Sequence, residues 1–211
     1  MKKIMFNDKY GLTEAVLDGR KTITRRLIKA PRTMEGKDVY GFSVVRNPQT
    51  KEVVEVMALD AEGAQINNIL PKYKAGEVVA VAQSLRDMGY DPSKKDWSRG
   101  IIWGLEKTPG WTNKMFVCAS DCVHHIRITN VRVERLQDIS DKDCQREGIT
   151  TMTEGRYEAG NGYGWDTTID ALKRETFFTP RAAFAALIDK VSGKGTWESN
   201  PWVFVYEFEL L

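Results

Sequence analysis

The sequence predicts an α+β fold, a small mixed or mainly antiparallel β-barrel flanked by short helices. Two observations carry this. About six segments read as strands and three as short helices, and the two kinds do not alternate as they would around a parallel sheet. One pair of strands is joined by a tight turn, the mark of antiparallel pairing. The 211 residues are ample for one cored domain and short for two, and no internal repeat divides them, so 1–211 is expected to be a single domain.

The elements follow in order. "IMFN" at 4–7 reads as a short first strand. Residues 8–17 read as a helix with Leu12, Ala15 and Val16 on one side and Gly19 as its stop. "TITRRLI" reads as a strand, because Thr and Ile crowd a helix but fit a pleated surface. "DVYGFSVVRN" and "KEVVEVMAL" form a hairpin around the turn "NPQT". "AGEVVAVAQ" is a strand entered through Gly76, and 86–112 is irregular, with turn chemistry in "DMGYDPSKKDWSRG" and "KTPGW". "HHIRITNVRVERL" is a strand whose apolar phase slips: Ile126 and Ile128 share one face, Val131 and Val133 the other, which predicts a β-bulge or a sharp bend near Thr129–Asn130. "ISDKDCQREGI" is a short helix with Ser140 as N-cap, Asp141 and Asp143 in its first turn and Gly148 as its stop. "TPRAAFAALIDKV" is the clearest helix: Thr179 caps it, Pro180 begins it, and Phe184, Leu187, Ile188 and Val191 form its apolar stripe. "PWVFVYEFELL" is the closing strand.

Composition bounds the function. Hydrophobic residues at 42% and charged residues at 28% suit a globular protein, and no run approaches a membrane span. The two lysines near the N-terminus are not followed by the apolar stretch of a secretory signal. Cys118, Cys122 and Cys144 are few and odd in number, as expected of free thiols in a reducing compartment. A cytoplasmic location is therefore expected. With a net charge of only +2, affinity for nucleic acid must come from a local patch.

Such a patch exists in "LDGRKTITRRLIKAPR". Arg20, Lys21, Arg25, Arg26, Lys29 and Arg32 are basic, and no acidic residue occurs from Gly19 to Met34. Strict strand alternation would place Lys21 and Thr24 on opposite faces. Gly19 permits a tight turn out of the preceding helix, which frees Lys21 at the strand mouth from that alternation. The two side chains can then converge on one pocket, with Arg20, Arg25 or Arg26 nearby. A partly desolvated lysine beside arginines has its pKa pushed down, and a neutral amine deprotonates a hydroxyl. Lys21 and Thr24 are thus a candidate base and nucleophile, provided a carboxylate from elsewhere orients the lysine or relays a proton. The same residues also suit a solvated strand edge whose charges discourage edge pairing. Spacing leaves both readings open.

Other patterns carry less. Cys118-x3-Cys122-x-His124-His125 lacks a CxxC knuckle and a second ligand pair, so no metal site is expected. Trp97, Trp103, Trp111, Tyr163 and Trp165 stand in loops, where they either stack on unpaired bases or plug small clusters beneath the loops. The glycines of "EAGNGYGWD" neither follow a clear strand nor open a helix, so they make a poor phosphate cradle.

"LDGRKTITRR" resembles the signature of the ASCH domain family, Gly-x-Lys-x-x-(Glu or Thr)-x-Arg, matched by Gly19, Lys21, Thr24 and Arg26. "AGEVVAVAQ" resembles the family's Gly-Asp/Glu strand, "IRITNVRVERLQDISDKDCQREGI" its later strand and short helix ending in Glu-Gly, and "GKGTWESNPWVFVYEFEL" the closing strand common in phage and prophage members. Where many such relatives carry Val-Arg-Glu in the central strand, this chain has Val-Ala-Gln ending at Gln83. The resemblance covers nearly the whole chain, with loop insertions near 86–120 and 151–178. It implies a PUA-like barrel and two functions. One is binding of RNA. The other is that of a branch of amidohydrolases that deacetylate N4-acetylcytidine with a Lys, a Thr and a Glu, matched here by Lys21, Thr24 and Glu147. Glu147 would be the missing carboxylate, with Arg20, Arg25, Arg26 and Lys29 binding the ligand and no cofactor or metal required. The alternatives are a non-catalytic RNA-binding module, with the basic segment on phosphates, and a phage accessory protein that binds another protein.

Overall fold

The structure is a computed structural model that describes residues 1–95, 104–151, 157–158 and 176–211. Its first part runs β1 (Lys3–Ile4), α1 (Leu12–Leu17), β2 (Ile23–Leu27), β3 (Thr33–Met34), β4 (Lys37–Asp38), β5 (Gly41–Arg46), β6 (Val53–Leu59), β7 (Gln65–Asn68) and β8 (Val78–Val81). The second runs β9 (His125–Arg135), α2 (Asp141–Arg146), β10 (Thr150–Thr151), β11 (Tyr157–Glu158), β12 (Thr176–Phe177), α3 (Pro180–Ser192), α4 (Thr196–Ser199) and β13 (Trp202–Leu210). The fold is α+β, with mainly antiparallel sheets and few helices. The central sheet has the order β1-β8-β9-β13-β2, antiparallel throughout except for the parallel β1–β8 pair. β5-β6-β7 and β10-β11-β12 form two further sheets, and β3-β4 a hairpin. Among the described residues no barrel closes; the central sheet ends at β1 and β2.

The core lies on the central sheet. Ile126, Ile128, Val203 and Val205 from β9 and β13 are fully buried, and Val16 of α1 and Phe184, Leu187 and Ile188 of α3 pack into the same cluster. Each such side chain contributes about 1.5–3 kcal/mol over an exposed one. Phe42 and Val44 of β5 also pack against it, which ties the second sheet to the first.

The expected bulge is present. Glu207 pairs with Asn130 and Phe208 with Ile128, so Thr129 has no partner across the ladder, and the extra residue resets the phase. Val131 and Val133 thereby return to the core. Ser140 and Thr179 cap their helices as predicted, accepting hydrogen bonds from the Asp143 and Ala182 amides at 3.1 Å each. Several expectations need correction. The single helix over 8–17 is a 3-10 turn, Asp8–Tyr10, followed by α1, because Gly11 sits between them in the left-handed region at φ 62°. Val191 ends the stripe of α3 at the surface, 37% exposed. The short strands β3, β4, β7 and β10 to β12, and α4, were not anticipated, since pieces of two to four residues carry no period.

The region near 86–120 is more than a loop. Leu105–Lys107, Pro109–Trp111, Lys114–Phe116 and Ala119–Asp121 form a chain of 3-10 turns. Leu85, Leu105, Val117 and Cys122 make a satellite core beneath them, and Trp111 packs against it. Trp97, Trp103, Tyr163 and Trp165 lie outside the described residues, as does the glycine-rich 155–164 stretch apart from β11.

Candidate active site

Lys21 stands outside β2, where two helix ends meet. Gly19 turns the chain at φ 72°, the Lys21 amide donates to the Ala15 carbonyl in α1, and the Thr22 amide donates to the Arg146 carbonyl at the end of α2. Strand alternation therefore does not govern Lys21. Glu147 is the C-cap of α2, and Gly148 follows it at φ 101°. The two backbone bends aim both side chains at the same point.

There they pair. The Lys21 Nζ donates to Glu147 Oε2 and, at 2.8 Å, to the Glu147 carbonyl. Lys21 is 2% exposed and Glu147 4%. Burial holds the Lys21 amine below its ordinary pKa; Glu147 opposes that shift, while Arg26 and Arg25 add to it. Phe6 lies beneath the amine, its ring centre 5.9 Å away.

The other carboxylate oxygen, Oε1, accepts from Arg25 Nη1 at 3.1 Å. Arg25 also pairs with Glu134 at 2.6 Å and Asp143 at 3.3 Å. The pairing continues outward: Arg132 reaches Glu134, Asp143 and Glu207, and Arg146 reaches Asp143 and Glu207. Lys21, Arg25, Arg132 and Arg146 thus face Glu134, Asp143, Glu147 and Glu207, four charges of each sign in one neutral network.

Lys21, Thr24, Arg25, Arg26 and Glu147 all line a cavity of about 480 Å³. Thr24 is 5% exposed, and its hydroxyl makes no hydrogen bond to any described residue. The apolar wall is Phe184, Leu187 and Ile188 of α3, the opposite rim the 5–9 segment. The arginines and lysines of the basic segment have separate fates. Arg20 lines a different depression with Lys142 and Arg146 and pairs with Asp18 at 3.0 Å. Arg25 lines the cavity and is engaged by three carboxylates. Arg26 stays in the cavity, its guanidinium carbon 5.7 Å from the Phe6 ring centre, and donates to the Met5 carbonyl at 2.5 Å. Lys29 is exposed and lines an adjoining cavity.

Sequence reasoning missed Lys114. This side chain comes from the chain of 3-10 turns, enters the cavity rim and donates to the Phe6 carbonyl, to Asp8 Oδ1 at 2.7 Å and to Thr13 Oγ1 at 3.1 Å. Lys3 returns the clasp, donating to the carbonyls of Lys114, Met115 and Val117 at 3.0, 2.8 and 2.5 Å. Nothing in "TNKMF" marks this lysine; only its place in a loop that folds back on the N-terminus does. The three cysteines are free, with Cys118 exposed and Cys122 and Cys144 buried. Among the described residues no group of three or more His, Cys, Asp or Glu side chains is placed to hold a metal ion, and no helix is long and apolar enough to cross a membrane. Compared with protein-family models, with curated proteins and with solved structures, the chain finds no match.

Proposed function

We propose that this cavity is an acyl-transfer site that hydrolyses an amide of the N4-acetylcytidine type. The observation that carries the reading is the meeting of a buried Lys21–Glu147 pair and an unengaged Thr24 hydroxyl in one cavity of nucleoside size. In this scheme Glu147 accepts a proton from the Lys21 ammonium across their contact, and the neutral amine takes the Thr24 proton. The Thr24 oxygen bonds to the acyl carbon, and the carbonyl electrons move to an oxyanion facing the Arg26 guanidinium. Collapse breaks the carbon–nitrogen bond, and Lys21 gives its proton to the leaving amine. Water, deprotonated by the same amine, then bonds to the acyl carbon; the bond to the Thr24 oxygen breaks, that oxygen takes the proton back from Lys21, and the acid is released. The scheme uses side chains alone.

The reading takes the chain as an ASCH-type protein with a PUA-like barrel, whose walls are the central sheet and β5-β6-β7. The shared core of the two sheets supports that arrangement. The rival reading, a non-catalytic module that lays the basic 20–32 segment along RNA, loses support from the fate of its side chains. Lys21 and Arg25 are buried against carboxylates, and Arg20 lines another depression.

The test is conversion of N4-acetylcytidine to cytidine by the wild type, Lys21→Met and Thr24→Val, with thermal melts to establish folding. Loss of the base or the nucleophile should lower kcat by about 10²–10⁴. No turnover by the wild type, or equal turnover by all three proteins, refutes the reading for this substrate.

A further inference from the structure

A second cavity, of about 440 Å³, adjoins the candidate active site and shares Met5, Arg26 and Leu27 with it. Its chemistry differs from the first. Lys3, Arg26, Lys29 and Lys72 line it, and no acidic residue does. Among the described residues none of these four cations has a carboxylate partner. Lys3 is spent on three backbone carbonyls, Arg26 on one, and the Lys72 amine lies 5.4 Å from the Tyr73 ring centre. The contrast with the neighbouring network, where each charge is matched, is sharp. A wall of cations left unneutralised over a floor of Tyr73 and Tyr206 creates a local positive field in a partly enclosed space.

The floor is rigid. The Tyr206 hydroxyl accepts from the Lys72 amide at 3.0 Å, and the Tyr73 hydroxyl donates to the Lys3 carbonyl at 2.9 Å. The backbone carrying two of the four cations is therefore held in place, while the Lys29 and Lys72 side chains remain exposed.

We propose that this second cavity is a phosphate subsite, and that the substrate of the first cavity is a phosphate ester of a nucleoside rather than the bare nucleoside. Arg26 spans the two. Its guanidinium carbon lies 5.7 Å from the Phe6 ring centre, it lines both cavities, and a fork of N–H donors suits phosphate oxygens. Lys29 and Lys72 supply adaptable point charges on the far side. The assignment of the substrate as a nucleotide rests on the acyl-transfer reading above; the binding of phosphate at this cavity does not.

The experiment is calorimetric titration of the wild type and of Lys29→Ala/Lys72→Ala, both substitutions being at exposed positions that leave the hydrogen-bonded backbone intact. The probes are inorganic phosphate, cytidine, its 5′- and 3′-monophosphates, and a short cytidine-containing single-stranded RNA. None of these is turned over. At least one monophosphate should bind the wild type about tenfold or more tightly than cytidine, as expected of a charge-assisted contact. That preference should shrink as salt is raised and fall severalfold in the double variant, in which Arg26 remains. Inorganic phosphate should compete with the monophosphate. Tighter binding of the RNA than of either monophosphate would identify a strand as the source of the phosphate, and equal binding a free nucleotide. Equal affinity for cytidine and both monophosphates, or a preference that the double substitution leaves unchanged, overturns the proposal. Phosphate binding with no hydrolysis of N4-acetylcytidine or of its 5′- and 3′-monophosphates would overturn the acyl-transfer reading, and with it the assignment of the substrate as a nucleotide, and leave the phosphate subsite standing.

Discussion

Replacing Glu147 by Gln keeps the shape of the side chain and removes its charge. Arg25 retains Glu134 and Asp143, so it stays paired. Lys21 does not: its only carboxylate among the described residues is Glu147, and it is 2% exposed. The amine must then remain as an unpaired buried cation or give up its proton. Deprotonation limits the cost. For an amine with an ordinary pKa of 10.5, staying neutral at pH 7 costs about 5 kcal/mol, at about 1.36 kcal/mol per pH unit. The range for breaking a buried pair, about 3–5 kcal/mol, agrees with that ceiling. At pH 9.5 the same penalty falls to about 1.4 kcal/mol. The sign follows from proton counting. Burial already holds the folded amine below 10.5 in the wild type; without Glu147, which opposes that shift, the folded amine of the variant holds fewer protons still, so its stability rises with pH relative to the wild type. Urea unfolding at pH 7 and 9.5 measures this. Glu147→Gln should lose about 3–5 kcal/mol at pH 7 and about 3 kcal/mol less than that at pH 9.5. Adding Lys21→Met removes the orphaned amine and should restore most of the loss. A loss under about 1 kcal/mol, or one equal at the two pH values, refutes the account of Lys21 and Glu147 as a buried ion pair.

Three further outcomes are expected. Gly148→Ala should cost about 1–2 kcal/mol in urea unfolding from its φ of 101° alone, because the added methyl meets Leu12, Ala15 and Lys21 at an ordinary 3.5–3.7 Å; a loss above about 4 kcal/mol would point to packing instead. Lys114→Met should cost about 1–3 kcal/mol by leaving the Phe6 carbonyl and Asp8 without their donor, with faster hydrogen exchange at 114–117, and unchanged exchange there would refute the clasp. Burial pushes the Cys144 thiol up to about 12 and the Tyr73 hydroxyl to about 12, so above pH 9 these two groups hold more protons in the folded chain than in the unfolded one and their contribution to stability falls with pH; Cys144→Ala should flatten that fall, and a thiol reagent on the native protein should find Cys118 while Cys122 and Cys144 wait for denaturant.

Local rules made much of this molecule legible. The caps at Ser140 and Thr179, the turn at Gly19 and the bulge at Thr129 each follow from one or two side chains and their neighbours. Motif matching paired Lys21 with Glu147 across 126 positions. The charge count misled, because it treated 20–32 as one positive surface. In the fold the segment is divided among a buried pair, an arginine engaged by carboxylates, a cavity wall and two separate depressions.

The sequence by itself determined the α+β class and the principal strands and helices, and offered Lys21 and Thr24 as residue types able to act as base and nucleophile, while Glu147 came only from the family resemblance. Apart from Glu147, these depend on periodicity, backbone conformation and side-chain chemistry, all of which act within a few residues. Only the tertiary structure decided which charges are spent on one another and which are left over. Arg25 and Arg26 are adjacent in sequence and both cationic, yet among the described residues three carboxylates pair with the first and none with the second. Lys114 enters the site from a loop with no motif. Neutralisation is a property of neighbours in space, and those neighbours come from strands, helices and loops far apart along the chain.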